Sequence, residues 1–269
     1  MPLSVSHLIL PSEPPPAARA LMTAAREIHA PQDLIAWLLQ RREDRVIFTT
    51  GFGMEGCVLI DMVSRALTAR GATKAVHYLD THFLFAETHA LRERLAQRYP
   101  NIRFVNAGTK LTPDEQARLH GPELWKRNPE HCCALRKVAP MAMLLEGAEA
   151  WVTAIRRSQS EARASISTAE WDGGFRLVKI SPLAAWSRAD VLAYAQANHV
   201  PYNELHDKGY PSIGCTHCTS SVAGASASDY SREGRWPDMQ KTECGLHLSP
   251  ALNRDARDRD GGLVTETNA

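Results

Sequence analysis

The sequence predicts an α/β fold in which a parallel sheet is covered by helices on both faces. Two strand–loop–helix units run into a third strand, with strands expected at 45–49, 75–79 and 102–106 and helices at 57–69 and 87–98. Further strands are expected at 150–155 and 175–180, and a helix runs from the capping box Ser187–Asp190 to about residue 198. Strands that alternate with helices pair in parallel, because each helix carries the chain back across the sheet.

The residue composition along the chain divides it into four parts. An Ala-rich amphipathic stretch makes 1–40 an N-terminal helical extension of one or two helices, and the alternating strands and helices occupy 41–205. From 206 to 248 glycine, serine and proline interrupt any period, which predicts an irregular C-terminal segment. The polar run at 249–269 is expected to be a flexible tail.

Composition excludes several classes of protein. Thirty-one basic residues against 30 acidic ones leave a net charge of +1, so no overall field attracts nucleic acid or an anionic membrane. No apolar stretch approaches the roughly 20 residues of a membrane span. The N-terminus carries no export signal, so we expect a cytoplasmic protein whose six cysteines serve metal or redox chemistry.

Three loops that follow predicted strands carry groups suited to an anion. Ligands of such sheets bind outside the carboxyl ends of the strands, where glycines, hydroxyls, free N–H groups and arginines can meet an anion's oxygens. The alternatives are an ordinary turn for the glycine loop and a helix cap for Asp80. The candidate residues are Thr50, Gly51, Phe52, Gly53, Glu55, Asp80, Thr81, Arg156, Arg157 and Gln159.

Four cysteines form two tight pairs, Cys132 with Cys133 and Cys215 with Cys218. Adjacent cysteines can hardly present both sulfurs to one tetrahedral zinc ion, whereas each can bind a different iron of a cluster. The pattern favours an iron–sulfur cluster over zinc, for which His131 and His217 would be further ligands, and over uncomplexed thiols. Cys57 lies alone on an apolar helix face and is predicted to be a buried structural thiol.

Cys244 stands apart from both pairs in the chain. A nucleophilic thiol needs thiolate character, which Lys241 and His247 could supply, and it needs access, which a loop near the chain terminus provides. The alternative is an inert surface cysteine. Arg232 and Arg235 lie close in sequence and by themselves read as a solvated charge run.

Taken together, the chain resembles the assimilatory adenylyl-sulfate reductases, the cluster-bearing branch of the phosphoadenylyl-sulfate reductases. The resemblance spans about 45–247 and rests on a fixed order of motifs. These are Thr50-Gly51-Phe52-Gly53-Met54-Glu55, Leu79-Asp80-Thr81, Cys132-Cys133-Ala134-Leu135-Arg136-Lys137, Arg156-Arg157-Ser158-Gln159-Ser160 with Arg163, Gly214-Cys215, Arg232-Glu233-Gly234-Arg235-Trp236 and Glu243-Cys244-Gly245-Leu246-His247.

The resemblance implies a Rossmann-like fold of the adenine-nucleotide alpha-hydrolase type and a four-iron, four-sulfur (4Fe-4S) cluster on the two cysteine pairs. It makes Cys244 the nucleophile, with His247 beside it, and it makes Lys137, Arg232 and Arg235 face the sulfate and phosphate. The three loops and Arg163 would bind substrate. The nucleotide-binding domain would then be 41–205, and 206–248 would bind the cluster and carry out catalysis.

The implied reaction converts adenylyl sulfate, and in some members its 3′-phosphorylated form, to sulfite and AMP through an S-sulfocysteine. Thioredoxin or glutaredoxin would supply electrons, in assimilatory sulfate reduction and cysteine biosynthesis, and a homo-oligomer is allowed. Thr50-Gly51, Gly56 and His82 depart from the family pattern of serine, an acidic residue and glycine. Two other classes compete: an adenylating enzyme, whose Ser-Gly-Gly-x-Asp-Ser loop is absent here, and a non-catalytic redox sensor with Cys244 as its switch.

Overall fold

The computed structural model describes residues 13–41, 45–228, 230, 232–237 and 239–247. Within them, a single six-stranded sheet has the order β3-β2-β1-β4-β6-β5. All neighbouring pairs are parallel except β5 with β6. The strands are β1 Val46–Thr49, β2 Lys74–Tyr78, β3 Ile102–Asn106, β4 Ala150–Val152, β5 Ala169–Asp172 and β6 Leu177–Ile180.

Nine α-helices lie in the described part of the chain. They are α1 Pro16–Glu27, α2 Pro31–Leu38, α3 Met54–Thr68, α4 Ala86–Arg98, α5 Pro113–His120, α6 Leu124–Arg127, α7 Pro129–Cys133, α8 Ala139–Leu145 and α9 Arg188–Ala197. A π-helical turn, Ala134–Val138, joins α7 to α8. None of the described helices is both long enough and apolar enough to cross a lipid bilayer.

The predicted α/β class is confirmed, with differences at particular elements. The strand expected at 150–155 ends at Val152, and β5 was missed because the apolar–polar alternation of Ala-Glu-Trp-Asp covers only four residues. β5 forms instead by pairing with β6 across a turn in which the Asp172 carboxylate accepts bonds from the N–H groups of Gly174 and Phe175, each 3.0 Å long. The sheet is therefore mostly, and not wholly, parallel.

Helix boundaries follow local chemistry where the sequence supplies a cap. The Ser187 hydroxyl accepts a 3.1 Å bond from the N–H of Asp190, as the predicted capping box requires. The Ala-rich N-terminal stretch forms two helices, because proline at Pro31 fits the first turn of a new helix. The helical run around Cys132 was not predicted, and its apolar residues are too few to show a period.

One hydrophobic core lies between the sheet and its helices. α3 is the central helix, with Met54, Cys57 and Val58 each inaccessible to solvent. The N-terminal helices belong to the same core through Ala25, Leu34 and others. They therefore pack as part of the domain that follows them. The flexible tail predicted at 249–269 lies outside the described residues.

The sheet order brings the three predicted loops together. β1 lies between β2 and β4, and the chain leaves it first toward β2 and β3 and later toward β4. The carboxyl ends of adjacent parallel strands at such a reversal border a crevice, which is where doubly wound sheets bind ligands. The loops after β1, β2 and β4 therefore open into one space.

A close approach between the loops after β2 and β3 holds the loop after β2 in place. The Asn106 side-chain oxygen accepts bonds from the N–H groups of Asp80 (3.1 Å) and Gly108 (2.8 Å). A Cβ atom at Gly108 would overlap the backbone carbonyl oxygen of Asp80. Only glycine therefore allows this contact without moving one of the loops.

Gly108→Ala is expected to lower the free energy of unfolding by about 1–3 kcal/mol, because the added methyl must displace backbone. Gly51→Ala is the matched control, since no atom lies within 4 Å of a Cβ placed there. Urea denaturation followed by circular dichroism measures both. An equal effect of the two substitutions would contradict this account of the loop contact.

Candidate active site

A cavity of about 250 Å³ opens at the carboxyl ends of β1, β2 and β4. Residues from all three loops, from the π-helical turn and from the C-terminal segment line it. Among the predicted site residues these are Thr50, Gly51, Gly53, Glu55, Thr81, Lys137, Gln159, Arg163, Arg232, Arg235, Cys244 and His247. The structure thus brings most of the candidates, which are spread over almost 200 positions of sequence, into one site.

Four predicted substrate-binding residues do not line this cavity. Phe52 is buried with φ at 57°, and its ring packs on Tyr78 with centroids 5.3 Å apart. The Asp80 carboxylate accepts a 2.8 Å bond from the N–H of His82 and so shapes its own loop. Arg157 donates a 2.8 Å bond to the carbonyl of Ile166, and Arg156 is wholly buried. The polar groups of Asp80, Arg156 and Arg157 therefore bond to other groups of the protein and do not face the cavity.

Arg156 belongs to a buried ion cluster with Glu55 and Arg188. Glu55 Oε1 accepts bonds from Arg156 Nη2 at 2.7 Å and from Arg188 Nη1 at 3.3 Å. Burial raises the pKa of the Glu55 carboxyl, but the two guanidinium groups lower it more, so Glu55 stays ionised. Arg188 also donates to the carbonyl of Ala227, and both arginines lie over the ring of Tyr230. The cluster therefore fixes the middle of the irregular segment, at Ala227 and Tyr230, to the glycine loop.

Cys244 faces a cationic wall inside the cavity. Burial raises the pKa of its thiol, but the Lys137 ammonium and a backbone hydrogen bond at Leu246 lower the pKa more, and the net shift is downward. Lys137 responds in the opposite sense: burial lowers its pKa, but the sulfurs of Cys215, Cys133 and Cys244 raise it further. The lowered pKa favours the Cys244 thiolate, which is the form that a nucleophilic cysteine needs.

Glu243 anchors the cysteine's loop to the core. Its carboxylate accepts bonds from Arg163 Nε at 3.0 Å and Nη2 at 2.8 Å, and from the Ser160 hydroxyl at 3.0 Å. Arg232 reaches the same carboxylate at 3.3 Å. Sequence reasoning missed Glu243 as a functional residue, although its position directly before the candidate nucleophile was a usable signal.

Three cationic side chains of the C-terminal segment pack on the ring of Trp236. The charged groups of Arg235, Arg232 and Lys241 lie 4.5, 5.4 and 5.4 Å from its ring centroid, and the indole is almost completely buried. Lys241 also pairs with Glu130 of α7. The two arginines therefore form part of a packed cluster and are not a solvated charge run.

His247 lies at the back of the cavity against the sheet. Its ring stacks on Trp151 with centroids 5.1 Å apart. Burial, with added effects of Lys179, Arg163 and Arg232, holds the pKa of His247 well below its ordinary value. The imidazole is therefore neutral at physiological pH, and its Nδ1 atom has no partner among the described residues.

The four paired cysteines meet in a second, smaller pocket beside the cavity. Cys132, Cys133, Cys215 and Cys218 are buried, unpaired thiols that line it together with Phe83 and Trp125. Burial raises the pKa of Cys132 and Cys133 to about 11 and also raises that of Cys218. Burial therefore disfavours the thiolate form of Cys132, Cys133 and Cys218, which is the opposite direction to the net shift of Cys244.

Two polar side chains lie beside this pocket: Thr81, which was predicted to bind substrate, and Arg136, which sequence reasoning did not select. Thr81 Oγ1 lies 3.2 Å from Cys215 Sγ, and Arg136 stacks over Phe83 with 4.4 Å to its ring centroid. Arg136 donates to the carbonyl of Thr81 at 2.8 Å, and its Nη2 atom is buried without a partner among the described residues. Arg136 and Lys137 both line the pocket of the paired cysteines, and Lys137 also lines the cavity.

In the part of the chain that the structure describes, no three His, Cys, Asp or Glu side chains are placed to hold a metal ion. The two histidines considered as zinc ligands lie in aromatic contacts: His217 stacks on Trp125 with centroids 4.0 Å apart, and His131 packs on His120. Cys57 is completely buried in α3, as predicted for a structural thiol.

We expect Lys137→Met to slow alkylation of Cys244 at pH 7, because loss of the ammonium raises the thiol pKa. In the wild type the lowered pKa of Cys244 favours the thiolate at a lower pH than in an ordinary thiol. The pH profile of alkylation in Lys137→Met should therefore lie at higher pH than that of the wild type. Mass spectrometry of Cys244 after iodoacetamide pulses across a pH series measures this. Lys126→Met, at an exposed site, is the control, and identical profiles for both variants would refute the pairing.

Known proteins resemble this chain over most of its length. The model of the phosphoadenosine phosphosulfate reductase domain matches residues 45–221. An adenosine 5′-phosphosulfate reductase from Salinibacter ruber is 43% identical over 249 residues, which is 92% of this chain and 93% of that protein. One from Geobacillus kaustophilus is 42% identical over 81% of this chain and 89% of its own.

Solved structures give the same family and a wider fold group. Phosphoadenylyl-sulfate reductase from Candida auris, in a phosphate complex, aligns with a TM-score of 0.62 and 31% identity over 76% of this chain and 96% of its own. An FMN adenylyltransferase from Candida glabrata aligns at 0.52 with 12% identity, over 95% of this chain and 86% of its own, which shows the fold alone. The chain belongs to the phosphoadenosine phosphosulfate reductase family of enzymes.

Proposed function

We propose that this enzyme reduces adenylyl sulfate, which is adenosine 5′-phosphosulfate, to sulfite and AMP. The observation that carries the proposal is the Cys244 thiol with its lowered pKa, placed in a cavity lined by Lys137, Arg163, Arg232 and Arg235. Relatives bearing the name of this reductase, at 42–43% identity, support the choice of substrate.

In the first step, the Cys244 thiolate attacks the sulfur atom of the substrate's sulfate. The bond between that sulfur and the bridging oxygen breaks, AMP leaves with the electron pair, and Cys244 becomes S-sulfocysteine. The oxygens of the phosphosulfate repel a thiolate, so cations must screen them. Lys137, Arg232 and Arg235 line the cavity with Cys244 and are suited to do so.

In the second step, an external dithiol releases the product. One thiolate attacks the Cys244 sulfur and displaces sulfite, and the second thiol then closes the donor's disulfide and returns Cys244 as a thiol. Thioredoxin or glutaredoxin has this chemistry. Cys244 is suited to both steps because it is partly exposed, whereas the other five cysteines are buried.

The four buried cysteines fit an iron–sulfur cluster by the chemistry of their donor set. Two segments of chain present Cys132, Cys133, Cys215 and Cys218 to one pocket, with apolar walls and the unpartnered Arg136 Nη2 beside it. Cysteine thiolates are the usual ligands of a 4Fe-4S cluster. When bound, the cluster would supply a fixed charge next to Lys137 and hold the two segments together.

The proposed chemistry requires a reducing compartment. The six cysteines are free, and a dithiol donor must stay reduced, which supports the cytoplasm. We propose that the sulfite formed feeds assimilatory sulfate reduction toward cysteine.

Purified protein should form sulfite from adenylyl sulfate when thioredoxin, thioredoxin reductase and NADPH are supplied. We expect a higher kcat/KM for adenylyl sulfate than for its 3′-phosphorylated form. Sulfite is measured by a thiol-reactive dye after protein removal, with either donor protein or substrate omitted as controls. A preference for the phosphorylated substrate would overturn the choice of substrate, and no sulfite from either would overturn the reaction.

Cys244→Ser should abolish sulfite formation and leave AMP affinity within about twofold of wild type, because the serine hydroxyl is not ionised at neutral pH. Wild-type protein incubated with substrate and no reductant should gain one sulfonate mass on Cys244 in peptide mapping. Cys57→Ser, in α3, is the control and should keep the adduct. Full turnover with thioredoxin but no adduct would indicate direct attack by the external thiol.

Replacing any one of the four cluster candidates with serine should lower bound iron and activity together, since each thiolate would hold one iron. The wild type should be brown and contain about four irons per chain. Iron assay and absorption spectra measure this, with Cys57→Ser as the matched thiol control. An active, colourless protein that contains only zinc would exclude the cluster.

A further inference from the structure

His206 lines the cavity but has no place in the chemistry at Cys244. It lies in the 3₁₀ turn Glu204–Lys208 and is only 2% exposed. Glu55 and Arg188 of the buried ion cluster face it, with Asp207 beside it in the chain. Sequence reasoning did not select it, since a lone histidine in a loop carries no spacing signal.

One hydrogen bond fixes the tautomer of His206. Nδ1 lies 2.8 Å from the carbonyl oxygen of Tyr210, which can only accept, so Nδ1 carries a proton. Burial, aided by Arg188, lowers the pKa of His206 to about 4, so the ring is neutral at physiological pH. Nε2 therefore holds a lone pair and acts only as an acceptor.

That acceptor is unused. Nε2 is buried and has no hydrogen-bond partner among the described residues. A buried polar atom without a partner costs free energy, and at the wall of a ligand cavity the ligand is a natural source of the missing bond. Its partner must be a donor, and the lone pair disfavours contact with the oxygens of an anion.

Adenylyl sulfate carries donors on one half only. Its phosphosulfate has acceptor oxygens alone, and its N–H and O–H groups are the adenine amino group and the two ribose hydroxyls. We propose that Nε2 of His206 accepts a hydrogen bond from the nucleoside half of the substrate. This inference rests on the proposed function and assigns the nucleoside to the part of the cavity next to Glu55, with the phosphosulfate toward Lys137 and Cys244.

His206→Asn tests the contact, because the asparagine amide can replace Nδ1 as donor to Tyr210 but has no group at the position of Nε2. We expect AMP affinity, measured by isothermal titration calorimetry, to fall roughly 10-fold. His206→Gln, whose carbonyl can approach the position of Nε2, should recover part of the loss. His77→Asn is the control, because His77 also has an unpartnered ring nitrogen but does not line the cavity.

Three analogues, 2′-deoxy-AMP, 3′-deoxy-AMP and N6,N6-dimethyl-AMP, identify the donor. The analogue that lacks it should bind wild type and His206→Asn equally, whereas the other two should keep the difference. If 3′-deoxy-AMP is the insensitive one, the contact also disfavours the 3′-phosphorylated substrate, whose 3′-oxygen has no proton. A loss in His206→Asn that is the same for AMP and all three analogues would overturn the proposal.

A readout on the wild type covers the case in which His206→Asn does not fold. In ¹⁵N-histidine spectra the unprotonated Nε2 resonance of His206 should move when AMP is added, and an unmoved resonance would overturn the contact. Wild-type protein that binds AMP but shows no His206 effect refutes only this inference. Wild-type protein that binds neither AMP nor adenylyl sulfate refutes the proposed function itself.

Discussion

The ion pair between Glu243 and Arg163 is the interaction on which the site depends. Arg163 belongs to the sheet domain, whereas Glu243 precedes Cys244 in a segment without helix or strand. Two bonds of 3.0 and 2.8 Å join the guanidinium to the carboxylate, and both side chains are almost fully buried. Removing one partner of a buried ion pair is strongly destabilising, because the other charge is left buried without a counter-charge. This contact therefore holds the cysteine's loop over the cavity.

Electrostatics separates the cysteines into two kinds. Burial raises the pKa of Cys132, Cys133 and Cys218, whereas Lys137 lowers that of Cys244. One lysine borders both the cavity and the pocket of the paired cysteines, so the same ammonium acts on both groups of sulfur. The π-helical turn Ala134–Val138 carries this lysine together with Arg136, which lines the pocket of the paired cysteines but not the cavity.

Much of the fold was predictable from local pattern. The apolar runs and the loops that follow them predicted the first three strands, and the capping box predicted the start of α9. β5 was not predictable, because its apolar–polar alternation covers only four residues, too few to identify a strand without its partner β6. The helix around Cys132 was not predicted, because its five residues are too few to show a helical period.

For the site, the sequence alone determined the chemical types present: two cysteine pairs, a single further cysteine, and loops of glycine and arginine. Only the tertiary structure decided which of them face the cavity. Arg156 and Arg163 look alike in the sequence, yet one is held by Glu55 away from the cavity and the other lines it. A side chain's partners are set by packing between segments far apart in the chain, and no local pattern records them.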